Sequence, residues 1–435
     1  MTAGRKAGIV RAPSLAYRAE GSAATAALYC EKVPVAALAD RYGTPLYVYS
    51  AEMIRARLNA FQRAFRSVPH TICYSVKANG TLGILRLIAG ADAGFDVVSG
   101  GELQRVMRAR RSAVRKVVFS GVGKTVEEME LALRAGILLF NVESASELRL
   151  LAETAARLKK TAPVALRVNP DVSAKTHPYI STGLHKHKFG VPIPEAHELY
   201  AEAARQPCLN VAGVSVHIGS QITDVTSFRD AMERVSRFVR DLRRAGHDLR
   251  YLDAGGGLGI SYETESHASF SEQIADYARA VTSPLRGLGL NLLLEPGRSI
   301  VGAAGLLLTK VLYRKTNNGK RFLIVDAAMN DLIRPSLYGA HHDIVPVLQS
   351  SAATEITDVV GPICETGDFF ARDRKLAMVE EGSLLAILDA GAYGAALGSN
   401  YNTRGKPAEV LVDKARTRLL RRRENTADQL RLERL

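Results

Sequence analysis

The sequence predicts a parallel (β/α)8 barrel of the TIM type joined to a second, antiparallel β domain. Three features predict it. Between about residues 69 and 298, eight short apolar runs rich in β-branched residues alternate with amphipathic helical stretches. A residue capable of chemistry follows directly on each run, as expected where strand ends converge on one rim of a closed barrel. After Gly302 the texture turns to strand-like alternation, with a hairpin signal at Asn317, Asn318 and Gly319.

The eight runs are residues 71–76, 94–98, 117–119, 137–142, 164–168, 211–218, 249–252 and 290–294. The helices between them carry their own signals. Ser144 and Glu147 have capping-box spacing ahead of Leu148, Leu151, Ala155 and Leu158 on one face. Phe228, Met232, Val235, Phe238 and Leu242 stripe another helix, which Gly246 stops. Eight such units in succession favour a barrel over an open sheet. Strands of the second domain are expected at residues 306–313, 321–325, 355–360, 384–388 and 410–412. Residues 29–35 are strand-like too and are expected to pair with them. That division gives an N-terminal arm and strand at 1–43, a barrel at 44–300 and a discontinuous β domain completed by 301–435.

A chain of 435 residues, 47% apolar and 23% charged, has an ordinary globular composition and room for two or three domains. No run approaches the ~18 uninterrupted apolar residues of a membrane helix; the richest, residues 384–397, is broken by Asp389. No membrane association is expected. Cys30, Cys73, Cys208 and Cys364 form no short-spaced pair, which points to a reducing cytoplasm. The net charge of +14 is concentrated at the ends: residues 1–25 carry four bases against one acid, and residues 413–435 eight against four. The body of the chain has no zinc-finger spacing, RNA-binding aromatic pair or sustained basic helix, so nucleic acid is not an expected partner. The first 25 residues lack the apolar core of a secretory signal and read as a flexible arm, with a transit peptide as the alternative. His185 and His187 alternate with Lys186 and Lys188 and have no third ligand in view, so no metal site is expected.

The strand exits carry Lys77, Ser99 with Glu102, Lys124, Glu143, Asn169, His217, the glycines 255–257, and Glu295 with Arg298. A lysine at the end of a buried strand is desolvated, which favours the neutral amine that attacks a carbonyl; taken alone, Lys77 could equally be a rim lysine reaching solvent. Gly255, Gly256 and Gly257 let backbone N–H groups approach an anion, although a tight strand-to-helix turn has the same signature. An amine and an anion cradle on one rim suit pyridoxal phosphate, which needs both. Glu295 would then keep the pyridine nitrogen protonated, the alternative being an ion pair with Arg298. His217 alternates with apolar neighbours and so faces the barrel mouth, where it packs either on a cofactor ring or as a core histidine.

These residues lie within YSVKANG at 74–80, GFDVVSGGEL at 94–103, SVHIGSQI at 215–222, GGGLGI at 255–260 and EPGRSIVG at 295–302. THPYISTGL at 176–184, IRPSLYGA at 333–340, CETGD at 364–368 and DAGAYG at 389–394 complete the set. With them the chain resembles the fold-type III pyridoxal-phosphate decarboxylases from about residue 28 to 430. The resemblance implies an alanine racemase-like and ornithine decarboxylase-like fold in which Lys77 forms the Schiff base, His217 stacks on the cofactor and Glu295 holds its ring nitrogen. It implies that Ser220, Gly255, Gly256, Gly257, Pro296, Gly297, Arg298 and Tyr393 complete the cofactor site. It further implies a homodimer in which Cys364, from the partner subunit, returns the proton after CO2 is lost.

Arg298, Arg334 and Tyr338 would hold a distal carboxylate of the substrate, and Glu365 with Tyr393 its distal amine. Members acting on simple diamine precursors have no such carboxylate, so the implied substrate is meso-2,6-diaminopimelate and the implied product L-lysine. The alternatives are a carboxynorspermidine or basic amino-acid decarboxylase, or a catalytically silent homologue; the presence of Lys77, Glu295 and Cys364 weighs against silence. Two features depart from the family pattern: Arg404-Gly405-Lys406-Pro407 ahead of Ala408-Glu409-Val410, and the basic N-terminal arm.

Overall fold

In the computed structural model, which describes residues 9–11, 14–19, 26–172, 188–262, 267–349 and 352–434, eight parallel strands close on themselves. They are β1 (His70–Ser75), β2 (Gly94–Val97), β3 (Val117–Phe119), β4 (Leu139–Val142), β5 (Ala162–Asn169), β6 (Leu209–Ser215), β7 (Tyr251–Asp253) and β8 (Asn291–Leu294). Each pairs with the next in parallel, and β8 returns to β1 through Leu292↔His70 and Leu294↔Ile72. All eight expected runs are therefore barrel strands. Their inward apolar side chains fill the centre, where Cys73, Val118, Leu139, Ala165, Ala212 and Leu293 are fully buried.

The helices follow the sequence signals with one exception. Helix Thr226–Arg244 buries the expected stripe of Phe228, Met232, Val235, Phe238 and Leu242. Ser144 does cap helix Ala145–Arg157 by accepting Glu147 N. The Glu147 carboxylate, however, turns to Glu143 N at 2.9 Å and to Lys124 Nζ at 2.7 Å instead of closing the capping box. A buried ammonium is the stronger partner.

The described residues fall into two compact units. Those within Arg57–Ile260 and Phe270–Ser299 make the barrel unit; those within Met1–Ala56, Ser261–Ser269 and Ile300–Leu435 make the other. The second unit contains the expected hairpin: strands Gly305–Asn317 and Lys320–Val325 pair through Asn317↔Lys320, leaving Asn318 and Gly319 as a two-residue turn with φ of 47° and 81°. Strands Thr354–Val360, Leu384–Ile387 and Ala408–Asp413 are likewise present.

The sheet is mostly antiparallel, with two parallel pairings, Phe322↔Asp358 and Ala408↔Leu46. The N-terminal strand that enters it in full register is Leu46–Ser50. The segment expected to do so, near residues 29–35, instead forms Ala26–Cys30 and Val33–Pro34 in a separate sheet, touching the larger one at the bridge Ala27↔Leu348. The expected flexible arm is also corrected in part. Leu15–Ala19 is a strand paired with Ala26–Cys30, held by the buried, alternating Leu15 and Tyr17. Residues 1–8, 12–13 and 20–25 of the arm, the THPYISTGL motif at 176–184, and His185 and His187 lie outside the described residues.

Candidate active site

The exits of β8 and β1 adjoin. Ser75, the last residue of β1, donates its N–H to Pro296 O at 3.1 Å, and its hydroxyl lies 2.9 Å from both Glu295 O and Asp96 Oδ2. A Cβ on Gly297 would stand 3.0 Å from Ala78 Cβ and 3.1 Å from Ser75 Cβ, so Pro296 and Gly297 press the two exits together. Just beyond, in the single 3-10 turn Val76–Ala78, Lys77 reaches Asp96 Oδ2 with Nζ at 3.1 Å. The lysine side chain is 36% exposed and the Asp96 side chain 0%. Because the turn lifts Lys77 past the strand end, the desolvation expected of it is only partial. Its amine is anchored by a buried carboxylate yet open to a ligand.

Glu295, at the β8 exit, is buried, and its Oε1 accepts from Ser120 Oγ at 3.1 Å. Asn141 Nδ2 lies 3.1 Å from Ser120 Oγ and 2.6 Å from Asp253 Oδ2, and Gly255 N donates to Asp253 Oδ1 at 2.9 Å. The result is a hydrogen-bonded chain across the barrel mouth from β8 past β3 and β4 to β7. Burial, reinforced by the negative Asp253 and Asp96, pushes the Glu295 carboxyl well above its usual range, and Lys77 opposes this weakly. Burial raises Asp253 as well. Burial of both carboxyls, with the charge of Asp253 acting on Glu295, favours the protonated form of Glu295.

His217 follows β6. Gly256 N donates to its Nδ1 at 3.2 Å, which leaves Nε2 to carry the proton of a neutral ring. Burial, with the cations Arg167 and Lys77 nearby, holds its pKa well below the usual value. Nδ1 is 3.8 Å from Glu295 Oε2; between a neutral imidazole and a protonated carboxyl this is a packing contact and no ion pair.

The three glycines have a visible cause. A Cβ would come 2.4 Å from Val216 O at Gly255, 2.1 Å from Glu295 O at Gly256 and 2.3 Å from Gly219 O at Gly257, and Gly255 and Gly257 have φ of 69° and 104°. Only glycine lets the β7 exit wedge between those of β6 and β8. On the same rim Arg298, itself buried, donates from Nη2 to Ser220 Oγ at 3.2 Å.

Other exit residues are structural. Ser99 and Glu102 cap helix Gly100–Ala109, with Glu102 Oε2 accepting from Val98 N at 2.8 Å. Lys124 gives its three protons to Gly121 O, Asn141 O and Glu147 Oε1, each at 2.7 Å. Glu143 pairs with Arg167 at 3.0 Å, and Asn169 donates to Phe189 O at 3.0 Å.

Residues 51–302 match the family model described as pyridoxal-dependent decarboxylase, pyridoxal binding domain. The chain belongs to the pyridoxal-dependent decarboxylases. It is 52% identical over 403 residues to the diaminopimelate decarboxylase of Pseudomonas aeruginosa, which spans 93% of this chain and 96% of that one. To the diaminopimelate decarboxylase of Neisseria meningitidis serogroup B it is 51% identical over 403 residues, with the same two coverages of 93% and 96%. The crystal structure of diaminopimelate decarboxylase from Helicobacter pylori complexed with L-lysine is similar with a TM-score of 0.87 and 42% identity, over 92% of this chain and 98% of that one.

The residues of this decarboxylase fit the cofactor its family is named for. Asp96 stands at the amine of Lys77, and the buried carboxyls of Asp96 and Asp253 both act on the buried Glu295. Asp96 Oδ1 has no donor among the described residues. Such a set of acceptors beside an amine suits a ring with a cationic N–H and an aldehyde within reach of that amine. Asp96, Asn141 and Asp253 lie inside strand ends, where the strand-exit rule does not look, and Ser120, directly after Phe119, shares an exit at which the rule takes Lys124. The available signal was a polar residue breaking an apolar run, as in Phe95-Asp96-Val97 and Phe140-Asn141-Val142.

The remaining expected residues belong to the second unit, as two pairs and one further residue. Cys364 and Glu365 are exposed; Asn402 Nδ2 donates to Cys364 Sγ at 3.4 Å, and Glu365 raises the pKa of the nearby Tyr401 hydroxyl. Arg334 is buried beside His342 and Tyr262, and Tyr338 ends the same short helix, Arg334–Tyr338. Tyr393 is half-buried with a φ of 56°.

Proposed function

We propose that this decarboxylase removes CO2 from meso-2,6-diaminopimelate to leave L-lysine, using pyridoxal 5'-phosphate. One observation carries the chemistry: the Lys77 amine and the buried, proton-holding Glu295 stand at adjoining strand exits. The substrate is supported by the printed names of relatives near 50% identity. Lys77 would hold the cofactor through Nζ, with His217, Ser220, Gly255, Gly256, Gly257, Glu295, Pro296, Gly297, Arg298 and Tyr393 completing its site. When bound, the cofactor supplies a cationic ring that takes up the electron pair left as the C–C bond to CO2 breaks.

Glu295 keeps the ring nitrogen's proton in place, supported from below by Ser120 and the Asp253 carboxyl. Asp96 orients the Lys77 amine. The neutral His217 packs against the ring without adding a second cation. Arg298, Arg334 and Tyr338 take the substrate carboxylate that is kept, since a guanidinium fork matches a carboxylate in charge and shape. Glu365 and Tyr393 receive the distal ammonium. In this reading a second copy of the chain supplies Cys364, whose thiol proton replaces the lost CO2, so the working unit is a homodimer in the cytoplasm.

The test is CO2 release from diaminopimelate measured beside ornithine, arginine and carboxynorspermidine. Preference for any of the last three overturns the substrate. No turnover of any of them by the cofactor-loaded protein would make it a silent homologue.

A further inference from the structure

His342 is fully enclosed, and its two ring nitrogens have partners of opposite kind. Nε2 lies 2.8 Å from Arg334 Nη1, and Nδ1 lies 2.7 Å from the carbonyl oxygen of Leu388. A guanidinium can only donate and a carbonyl can only accept. The ring must therefore accept at Nε2 and donate at Nδ1, which fixes a neutral imidazole in the Nδ1–H tautomer. The backbone strengthens this tie, because Leu388 N donates to Asp343 O at 2.8 Å. Tyr262 closes the group: its ring stands edge-on to His342 at 5.3 Å and 74°, and Arg334 Cζ is 4.9 Å from its centroid. The guanidinium is thus held by a hydrogen bond in one direction and by an aromatic face in another.

We propose that His342 is a positioning residue that aims Arg334 at the substrate carboxylate retained in the product, and so sets the preference for substrates that carry one. The inference rests on the role proposed above for Arg334. Its chemical point is the neutrality of the acceptor. An imidazole takes up one N–H of the fork and fixes its plane, and this contact leaves the positive charge of the guanidinium intact for an incoming anion. A carboxylate in the same place would orient the arginine and neutralise it together.

The test uses the full-length, cofactor-loaded protein and three ligands: diaminopimelate, L-lysine, which keeps the retained carboxylate, and 1,5-diaminopentane, which has none. His342→Phe preserves ring volume and removes both nitrogens. It should raise KM for diaminopimelate about tenfold, with kcat changed far less. The inhibition constant of L-lysine should rise in parallel while that of 1,5-diaminopentane stays within about twofold. His342→Gln, which can accept at one atom and donate at another, should restore most of the discrimination. His342→Asn, too short to span both partners, serves the same purpose should the Phe variant fold poorly.

A merely structural role would weaken both inhibitors alike, and that result overturns the proposal. Arg334→Lys separates the two levels. If it leaves the ratio of L-lysine to 1,5-diaminopentane binding unchanged, the assigned role of Arg334 fails and the inference falls with it. If Arg334→Lys collapses the ratio while His342→Phe and His342→Asn preserve it, the inference about His342 alone is overturned.

Discussion

At the barrel mouth the buried Glu295 has the buried carboxyls of Asp253 and Asp96 acting on it, with Lys77 paired to Asp96, whereas in the second unit the buried Glu31 is surrounded by donors from distant parts of the chain. Its Oε1 accepts from Ser50 Oγ and Glu52 N, each at 2.8 Å, and its Oε2 from Lys414 N. The first arrangement is short of positive charge and raises proton affinity; Glu295 is displaced upward as a result. The second clamps three segments together. The contrast teaches that buried carboxyls serve chemistry where their neighbours leave them under-compensated, and architecture where backbone donors satisfy them.

Lys77→Ala should have the largest effect. Turnover should fall on the order of 10⁴-fold or more, and the visible absorbance band that borohydride abolishes in the parent should not form. A reducible band in the variant would move the covalent attachment to another lysine. Glu295→Gln comes next, with kcat expected to fall about 10²–10³-fold for the loss of one preorganised electrostatic partner. The same variant should alter the pH dependence of stability. Folded Glu295 keeps its proton above pH 4.5, where the unfolded chain has released it, so stability is fullest below that pH and declines as pH rises. In the cofactor-free protein, the drop in melting temperature from pH 5 to pH 8 should be smaller for the Gln variant than for the parent.

The barrel was legible because its strand spacing and exit residues are local properties. A run such as residues 117–119 followed by Lys124 can be recognised without knowing its neighbours. What the exit rule could not do was sort function from structure among those residues. Lys77 and Lys124 look alike in sequence; they differ because Lys124 is enclosed at 1% exposure among three acceptors, whereas Lys77, beside the buried Asp96, is 36% exposed. In the second unit the hairpin at Asn318 and Gly319 was legible for the same local reason. The entry of Leu46–Ser50 between strands Gly305–Asn317 and Ala408–Asp413 was not, since those pairings join residues hundreds of positions apart. Cys364, Glu365, Arg334 and Tyr338 lie on loops or a five-residue helix, where no periodicity applies. Only the family resemblance pointed to them.

Removing one buried partner from each unit measures the contrast directly. Lys124→Met leaves Glu147 without its cation and takes one donor from each of two backbone carbonyls, in a place where the two side chains are 1% and 8% exposed. It should cost about 3–5 kcal/mol and, in whatever protein remains folded, leave the cofactor band unchanged. Glu31→Ala strands several donors but no buried charge and should cost about 2–3 kcal/mol. Chemical denaturation of both variants checks the order. A larger loss at Glu31 would mean that the clamp, with its long-range connections, dominates over charge compensation.

The smallest effects should lie at two capping boxes of the same design. In the barrel unit, Thr125 and Glu128 close the start of helix Val126–Ala135, which buries Met129, Ala132 and Leu133. Glu128 Oε1 also accepts from Gly100 N at 2.7 Å, tying this helix to the start of its neighbour. In the second unit, Asn425 and Asp428 close helix Thr426–Leu430, which buries no residue. A cap stabilises a protein only as far as the helix it completes is required by the packing around it. Thr125→Ala should therefore cost about 1 kcal/mol, while Asn425→Ala should leave the unfolding midpoint unchanged and register only as faster hydrogen exchange in the last turn. Equal shifts of the midpoint would show that cap strength is set by the local hydrogen bonds alone, and that burial of the helix face contributes nothing to it.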